Sequence, residues 1–165
     1  NNFLSDLPSM AISTDRVDAQ RLRHAQRWDL KEVRRFMLAF GLISSLFDGL
    51  AFAVLLHVFH AGPALFHSGW FVISLLTELA VVMVLRTRQA AWHSRPSTLL
   101  WTTTAAVAVL AVALPFIGPA ARIFGFVPMP AAMVATLIGL TLAYVAATEA
   151  AKRWFWRRQA AVRVR

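Results

Sequence analysis

FMLAFGLISSLFDGLAFAVLLHVF, residues Phe36–Phe59, carries only two ionisable side chains, Asp48 and His57. About 20 predominantly apolar residues wound as a helix cross the roughly 30 Å hydrocarbon core of a bilayer. This run has that length. Three more runs follow it. Ala64–Leu85 contains His67 and Glu78, Leu99–Ile117 contains no charge, and Pro130–Ala151 contains Glu149 alone. Four such runs in succession predict an all-α membrane protein, with spans over 36–59, 64–85, 99–117 and 130–151. A secretory leader does not fit, because the first run begins only after residue 35 and three others follow.

Composition points the same way. Hydrophobic residues make up 58% of the chain and charged residues only 15%, where soluble domains carry about a quarter charged residues. There is no cysteine, so disulfides and thiolate metal sites are excluded. The net charge of +9 suggests nucleic acid in a soluble protein. Here its placement excludes that partner. Of the 17 Lys and Arg residues, all but Arg122 fall in the segment Asp15–Arg35, in the connection after Leu85, or in the tail 152–165. The turn His60–Pro63 has none. This alternation is the positive-inside pattern. It predicts a basic cytoplasmic loop over 15–35, a basic cytoplasmic tail over 152–165, and the lipid bilayer as the surrounding partner.

Local signals support the spans. Asp29 and Glu32 have capping-box spacing, although two acids in a basic loop would look the same. Ser97 or Thr98 can cap the third span, and Pro130 suits the first turn of the fourth. Trp154 and Trp156 among Lys152, Arg153, Arg157 and Arg158 read as an interfacial anchor.

The opening stretch, NNFLSDLPSMAIS (Asn1–Ser13), is too short to span, yet the charge pattern puts the chain in the cytoplasm right after it. Residues 1–14 are therefore expected to be the cytoplasmic half of a truncated helix, whose remainder lies upstream. An ionisable residue at membrane depth is costly and points to function. Asn2, Ser5, Asp6 and Ser9 follow the i, i+3, i+4, i+7 spacing of one helix face. They offer a carboxylate, an amide and hydroxyls, all hard oxygen donors. Pro8 lacks an N–H for the Leu4 carbonyl, and a loosened turn there would add a backbone ligand, as in the broken helices of transporters. The expectation is an ion site on Asn2, Ser5 and Asp6, with Pro8 unwinding the helix and Asp6 as the metal ligand. The bland reading is a proline kink with a polar packing face.

Asp48 follows Ser44 and Ser45 on one face, and Glu78 follows Ser74. Both fit an ion pathway, and both also fit helix-packing hydrogen bonds. Glu149, near the cytoplasmic end of its span, is expected to snorkel toward Lys152 or Arg153. His57, His60 and His67 surround the short turn and read as solvated interfacial residues. No phosphate-binding loop occurs.

The motif Asn2-Phe3-Leu4-Ser5-Asp6-Leu7-Pro8 resembles the sixth membrane helix of P-type cation-transporting ATPases, and the following loop and four spans resemble the rest of that family's membrane region. The stretches NFLSDLPSMAISTDRVD, RWDLKEVRRFM, GLISSLFDGLAF and FHSGWFVISLLTELAVVMVLRTR look like the bacterial magnesium-translocating class. The resemblance implies an ATP-driven translocase in the bacterial inner membrane, with its C-terminus cytoplasmic. Mg²⁺ would be the transported ion and would also accompany ATP in cytoplasmic domains upstream. Asn2, Ser5 and Asp6 would be transport-site groups. An acid in the eighth helix of related calcium pumps gives Glu78 a possible ligand role. The phosphorylated aspartate and nucleotide domain are absent from residues 1–165, so no catalytic residue is expected here and the chain alone should be inactive. The alternatives are transport of Ca²⁺, Mn²⁺ or H⁺ by the same enzyme class, or a freestanding four-span structural protein. An upstream Asp-Lys-Thr-Gly-Thr motif would separate the last from the others.

Overall fold

The computed structural model describes residues 2–15, 30–87, 91 and 93–163. Every regular element among them is helical. Helix α1 is Asn2–Ala11, closed by a 3₁₀ turn at Ile12–Thr14. Helix α2 is Leu30–Ala53 and widens into a π turn at Val54–Val58. Helix α3 is Pro63–Leu85, α4 is Thr98–Ala113, α5 is the short Gly118–Phe124, and α6 is Ala131–Arg163.

Four stretches are long and apolar enough to cross a membrane: Val33–Val58, Pro63–Leu85, Thr98–Phe116 and Ala131–Arg157. These are the four expected spans, with two changed boundaries. α2 already begins at Leu30, so residues 30–35, expected in the basic loop, are helix. α6 continues to Arg163, so most of the expected tail is helix as well. Both extensions consist of basic residues interleaved with apolar ones, and arginine and lysine are good helix formers once a helix is under way. The Asp29–Glu32 capping box lies outside the described residues.

The termini of the spans follow from local chemistry. Ser97 accepts a hydrogen bond from the Leu100 N–H at 3.2 Å, which is the expected N-cap. Pro63 occupies the first turn of α3 after Gly62, where its absent N–H costs nothing. Pro130 stands one residue before α6, and its carbonyl accepts from the Met133 and Val134 N–H groups. α5 ends at Gly125, whose φ of 69° lies in the left-handed region that glycine adopts without strain. The Phe126 N–H donates back to the Ala121 carbonyl at 2.8 Å, closing a Schellman motif.

α3 is the centre of the bundle. It packs most extensively on α6 and also touches α1, α2 and α4, while α2 leans on α6 and α1 lies against α4. One core joins Ala51, Leu55, Val72, Ile73, Met129, Met133 and Leu137. A second joins Leu75, Leu79, Val107 and Ala111, with Leu4 of α1 packed against it. The outer ridge Leu38, Leu42, Leu46 and Leu50 of α2 is exposed. That is the i, i+4 stripe a lipid-facing helix presents.

At Gly69 the α3 backbone comes close to its neighbours. A Cβ there would run into Met133 Cε and stand 2.8 Å from Leu55 Cδ2. Both of those side chains are fully buried, although the clashing atoms are flexible ends. Gly69→Ala is expected to destabilise the bundle by about 1 kcal/mol, the low end of overpacking costs. Unfolding in detergent measures this, and an unchanged stability would show that the two side chains simply step aside.

Candidate functional site: the acid-bearing helix and the polar cleft

α1 turns two unlike faces outward and inward. Leu4, Ser5, Pro8 and Ala11 pack toward the bundle, with Ser5 only 4% exposed. Phe3, Asp6, Leu7 and Met10 form the opposite, exposed stripe. Among the described residues nothing pairs with the Asp6 carboxylate. The expected set Asn2, Ser5 and Asp6 is therefore split. At about 100° per residue, Ser5 and Asp6 sit at two edges of one arc, and packing against α3 and α4 takes the serine. Asn2 occupies the turn before Asp6 on the same side of the helix axis, by backbone position.

The helix also stays wound through Pro8, which corrects the expected unwound turn. The Pro8 ring is fully buried. It sits two residues, about 200°, from Asp6, so the Leu4 carbonyl that it leaves unpaired lies on the packed side of α1. Ser9 Oγ donates to the Ser5 carbonyl at 2.9 Å, binding the next turn together where the proline has removed a bond.

Asp48 and Glu78 do come together. They line one cleft of about 250 Å³ with Ser44, Ser74, Thr77 and Tyr144, between α2, α3 and α6. Ser44 Oγ and Tyr144 Oη share a hydrogen bond of 2.8 Å across it. Asp6 is not part of this lining. Trp70 borders both the cleft and a separate apolar cavity of about 570 Å³ that also includes Phe3 and Leu4 of α1. The two acids thus form a second polar locus between α2, α3 and α6, apart from Asp6. Among the described residues, no group of three or more His, Asp or Glu side chains has metal-binding proximity.

Two charge clusters are buried, and their burial was not expected from the sequence. Asp15 Oδ2 accepts from Arg86 Nη1 at 2.8 Å, and Asp15 Oδ1 accepts from the Ser97 N–H at 2.8 Å. Lys152 Nζ donates to the Val84 carbonyl at 2.9 Å and lies 2.8 Å from Glu149 Oε2. The second contact is an ion pair whose angle is not that of a hydrogen bond. Glu149 was expected to reach out toward Lys152 or Arg153 near the interface. It does meet both, but it is buried while doing so. No spacing rule ties Asp15 to Arg86, 71 residues away, whereas Glu149 stands at the i, i+3 and i, i+4 spacings from Lys152 and Arg153.

These contacts gather the C-terminal ends of α1, α3 and α6 and the N-terminal end of α4 at one end of the bundle. The basic residues Arg86, Arg95, Lys152 and Arg153 lie at that end, and Arg122 lies on α5 at the other.

The family described as "Cation transporting ATPase, C-terminus" matches residues 1–154. The chain belongs to this family. It is the C-terminal region of a P-type cation ATPase. Among curated relatives, a "Magnesium-transporting ATPase, P-type 1" of Salmonella typhimurium strain LT2 is 37% identical over 162 residues, covering 95% of this chain. The protein of the same name from Escherichia coli K12 is 36% identical over the same length. The chain spans 18% of the length of each.

Proposed function

We propose that this chain is the ion-site-bearing membrane region of an ATP-driven Mg²⁺ transporter. The observation that carries the reading is Asp6. An ionised carboxylate set in an exposed apolar stripe is several kcal/mol too costly to face lipid, so this face belongs against a polar partner and a cation. Mg²⁺ is a hard ion that takes carboxylate oxygen and keeps several of its waters, which suits one acid with an amide position a turn away. The magnesium assignment draws further support from the names of the relatives. Asp6 is then the charged ligand and Asn2 the neighbouring amide. Ser5 contributes by seating the helix. The Asp48–Glu78 cleft is a polar pathway beside the site.

In this reading the basic end of the bundle lies in the cytoplasm of a bacterial cell, following the positive-inside rule. ATP hydrolysis through an aspartyl-phosphate takes place in domains elsewhere in the polypeptide, and residues 1–165 alone hydrolyse nothing.

Uptake by the complete protein in sealed vesicles tests the cargo. Hydrolysis assays alone do not, because ATP is consumed as its magnesium complex whatever ion moves. The expected result is saturable accumulation of Mg²⁺ that Ca²⁺ and Mn²⁺ do not replace. Accumulation of Ca²⁺ or Mn²⁺ without Mg²⁺, or proton movement alone, would overturn the assignment.

A further inference from the structure

The geometry points to Arg86 as a positioning residue for the cation site, acting through Asp15 to fix the height and rotation of α1. The inference rests on the reading of Asp6 as the cation ligand. Asp15 follows the 3₁₀ turn that closes α1, about 14 Å along the chain axis from Asp6 at 1.5 Å per residue. Its carboxylate uses both oxygens. One meets the Arg86 guanidinium, at the C-terminal end of α3, and the other takes the N–H of Ser97, the residue that caps α4.

Further bonds brace the pair, although Arg86 Nε is buried without a hydrogen-bond partner among the described residues. Arg86 Nη2 also donates to the Ser94 carbonyl, so the guanidinium bridges α1 to the α3–α4 connection. Thr14 Oγ1 and Ser97 Oγ lie 3.0 Å apart, a second link between the same two segments. The side chains of Arg86 and Asp15 are 2% and 8% exposed. A buried, charge-assisted pair with a further backbone bond tolerates little displacement.

Elsewhere α1 seats by close packing. Its inner face is small and smooth: Ser5, Pro8 and Ala11, with Leu4 alone reaching a core cluster. Close packing of this kind resists separation better than it resists sliding or turning. Sliding by one residue would move Asp6 by about 1.5 Å and turn it by about 100°. The clasp at the foot of the helix removes both freedoms, because Asp15 is held by two elements that are themselves joined. Arg86 touches no cation in this account and acts only through the position of α1.

The test combines two readouts in the complete protein. The first is a disulfide cross-link. Residues 1–165 contain no cysteine, so in a complete protein with any other cysteines replaced, Leu4→Cys with Val107→Cys reports the seating of α1 on the cluster that contains Val107. The second is the half-saturating Mg²⁺ concentration for uptake, compared with the maximal rate and with the half-saturating ATP. Arg86→Met is expected to slow cross-linking and to raise the half-saturating Mg²⁺ about tenfold, with ATP dependence unchanged. Asp15→Asn keeps an acceptor for the Ser97 N–H and should shift it less. The double variant should be no worse than Arg86→Met alone, since the two residues act as one unit.

Unchanged cross-linking in a folded Arg86→Met protein overturns the clasp, whatever ion is carried. Slowed cross-linking with unchanged Mg²⁺ dependence, in a protein that Asp6→Asn inactivates, overturns the link to the site and leaves the Asp6 reading standing. If Asp6→Asn transports normally, the site reading falls instead, and the link from Arg86 to that site falls with it.

Discussion

Asp6→Asn is expected to abolish cation uptake while leaving the protein folded and inserted. The change keeps the size of the side chain and one carbonyl oxygen, and removes the charge. Asp6 is exposed and has no hydrogen-bond or ion-pair partner among the described residues, so the bundle has no stake in that charge. The transported ion does. A divalent cation at membrane depth has lost much of its hydration, and a neutral amide repays that loss poorly compared with a carboxylate. The affinity should fall at least about tenfold, the equivalent of about 1.4 kcal/mol, and uptake at ordinary ion concentrations should be lost. Uptake by the complete protein, with its amount in the membrane checked in parallel, decides the matter. Ser5→Ala is the informative companion, because Ser5 faces the packing. It should perturb uptake far less than Asp6→Asn. Normal Mg²⁺ uptake by Asp6→Asn would falsify the site assignment.

Much of the fold was legible because bilayer length and positive-inside bias are strong constraints. Uncharged or nearly uncharged runs such as Leu99–Ile117 have no other ready interpretation, and the Ser97 cap was readable from residue type and place. What escaped was the direction in which side chains point. Helical spacing put Ser5 and Asp6 on one arc, but only the position of α3 and α4 determines which of them is buried. Pro8 illustrates the same limit. Its missing N–H is certain from chemistry, but whether the helix opens depends on the packing around the ring, and here the ring is buried in a continuous helix. The reading of Asp48 and Glu78 as possible pathway groups left their mutual placement open, and tertiary structure brought them into one cleft. The Asp15–Arg86 pair, and the burial of Glu149 with Lys152, escaped for a related reason. A charge beside an apolar run reads as a solvated or interfacial group, and nothing in the spacing shows that the chain folds over it.

Lys152→Met should cost the bundle roughly 3–5 kcal/mol, the usual penalty for removing one member of a buried ion pair. The side chain is 1% exposed. Its ammonium does two things at once. It donates to the Val84 carbonyl at 2.9 Å, in the last turn of α3, where carbonyls lack helical partners and a cation also complements the helix dipole. It also stands against Glu149, which would otherwise be a buried carboxylate held only by Arg153, a residue 44% exposed and so a weaker, solvent-screened partner. Methionine fills a similar volume, so the loss reports charge and hydrogen bonding rather than a cavity. The pair is distinguished from a simple packing effect by the double variant. Glu149→Leu with Lys152→Met removes both charges, leaves the Val84 carbonyl unmatched and the half-exposed Arg153 to solvent, and should be more stable than Lys152→Met alone. Equilibrium unfolding of the purified protein in detergent measures all three differences. A loss below about 1 kcal/mol for Lys152→Met, within the range of ordinary surface pairs, would mean that Lys152 reaches water in the membrane-embedded protein and does not fasten α6 to the end of α3.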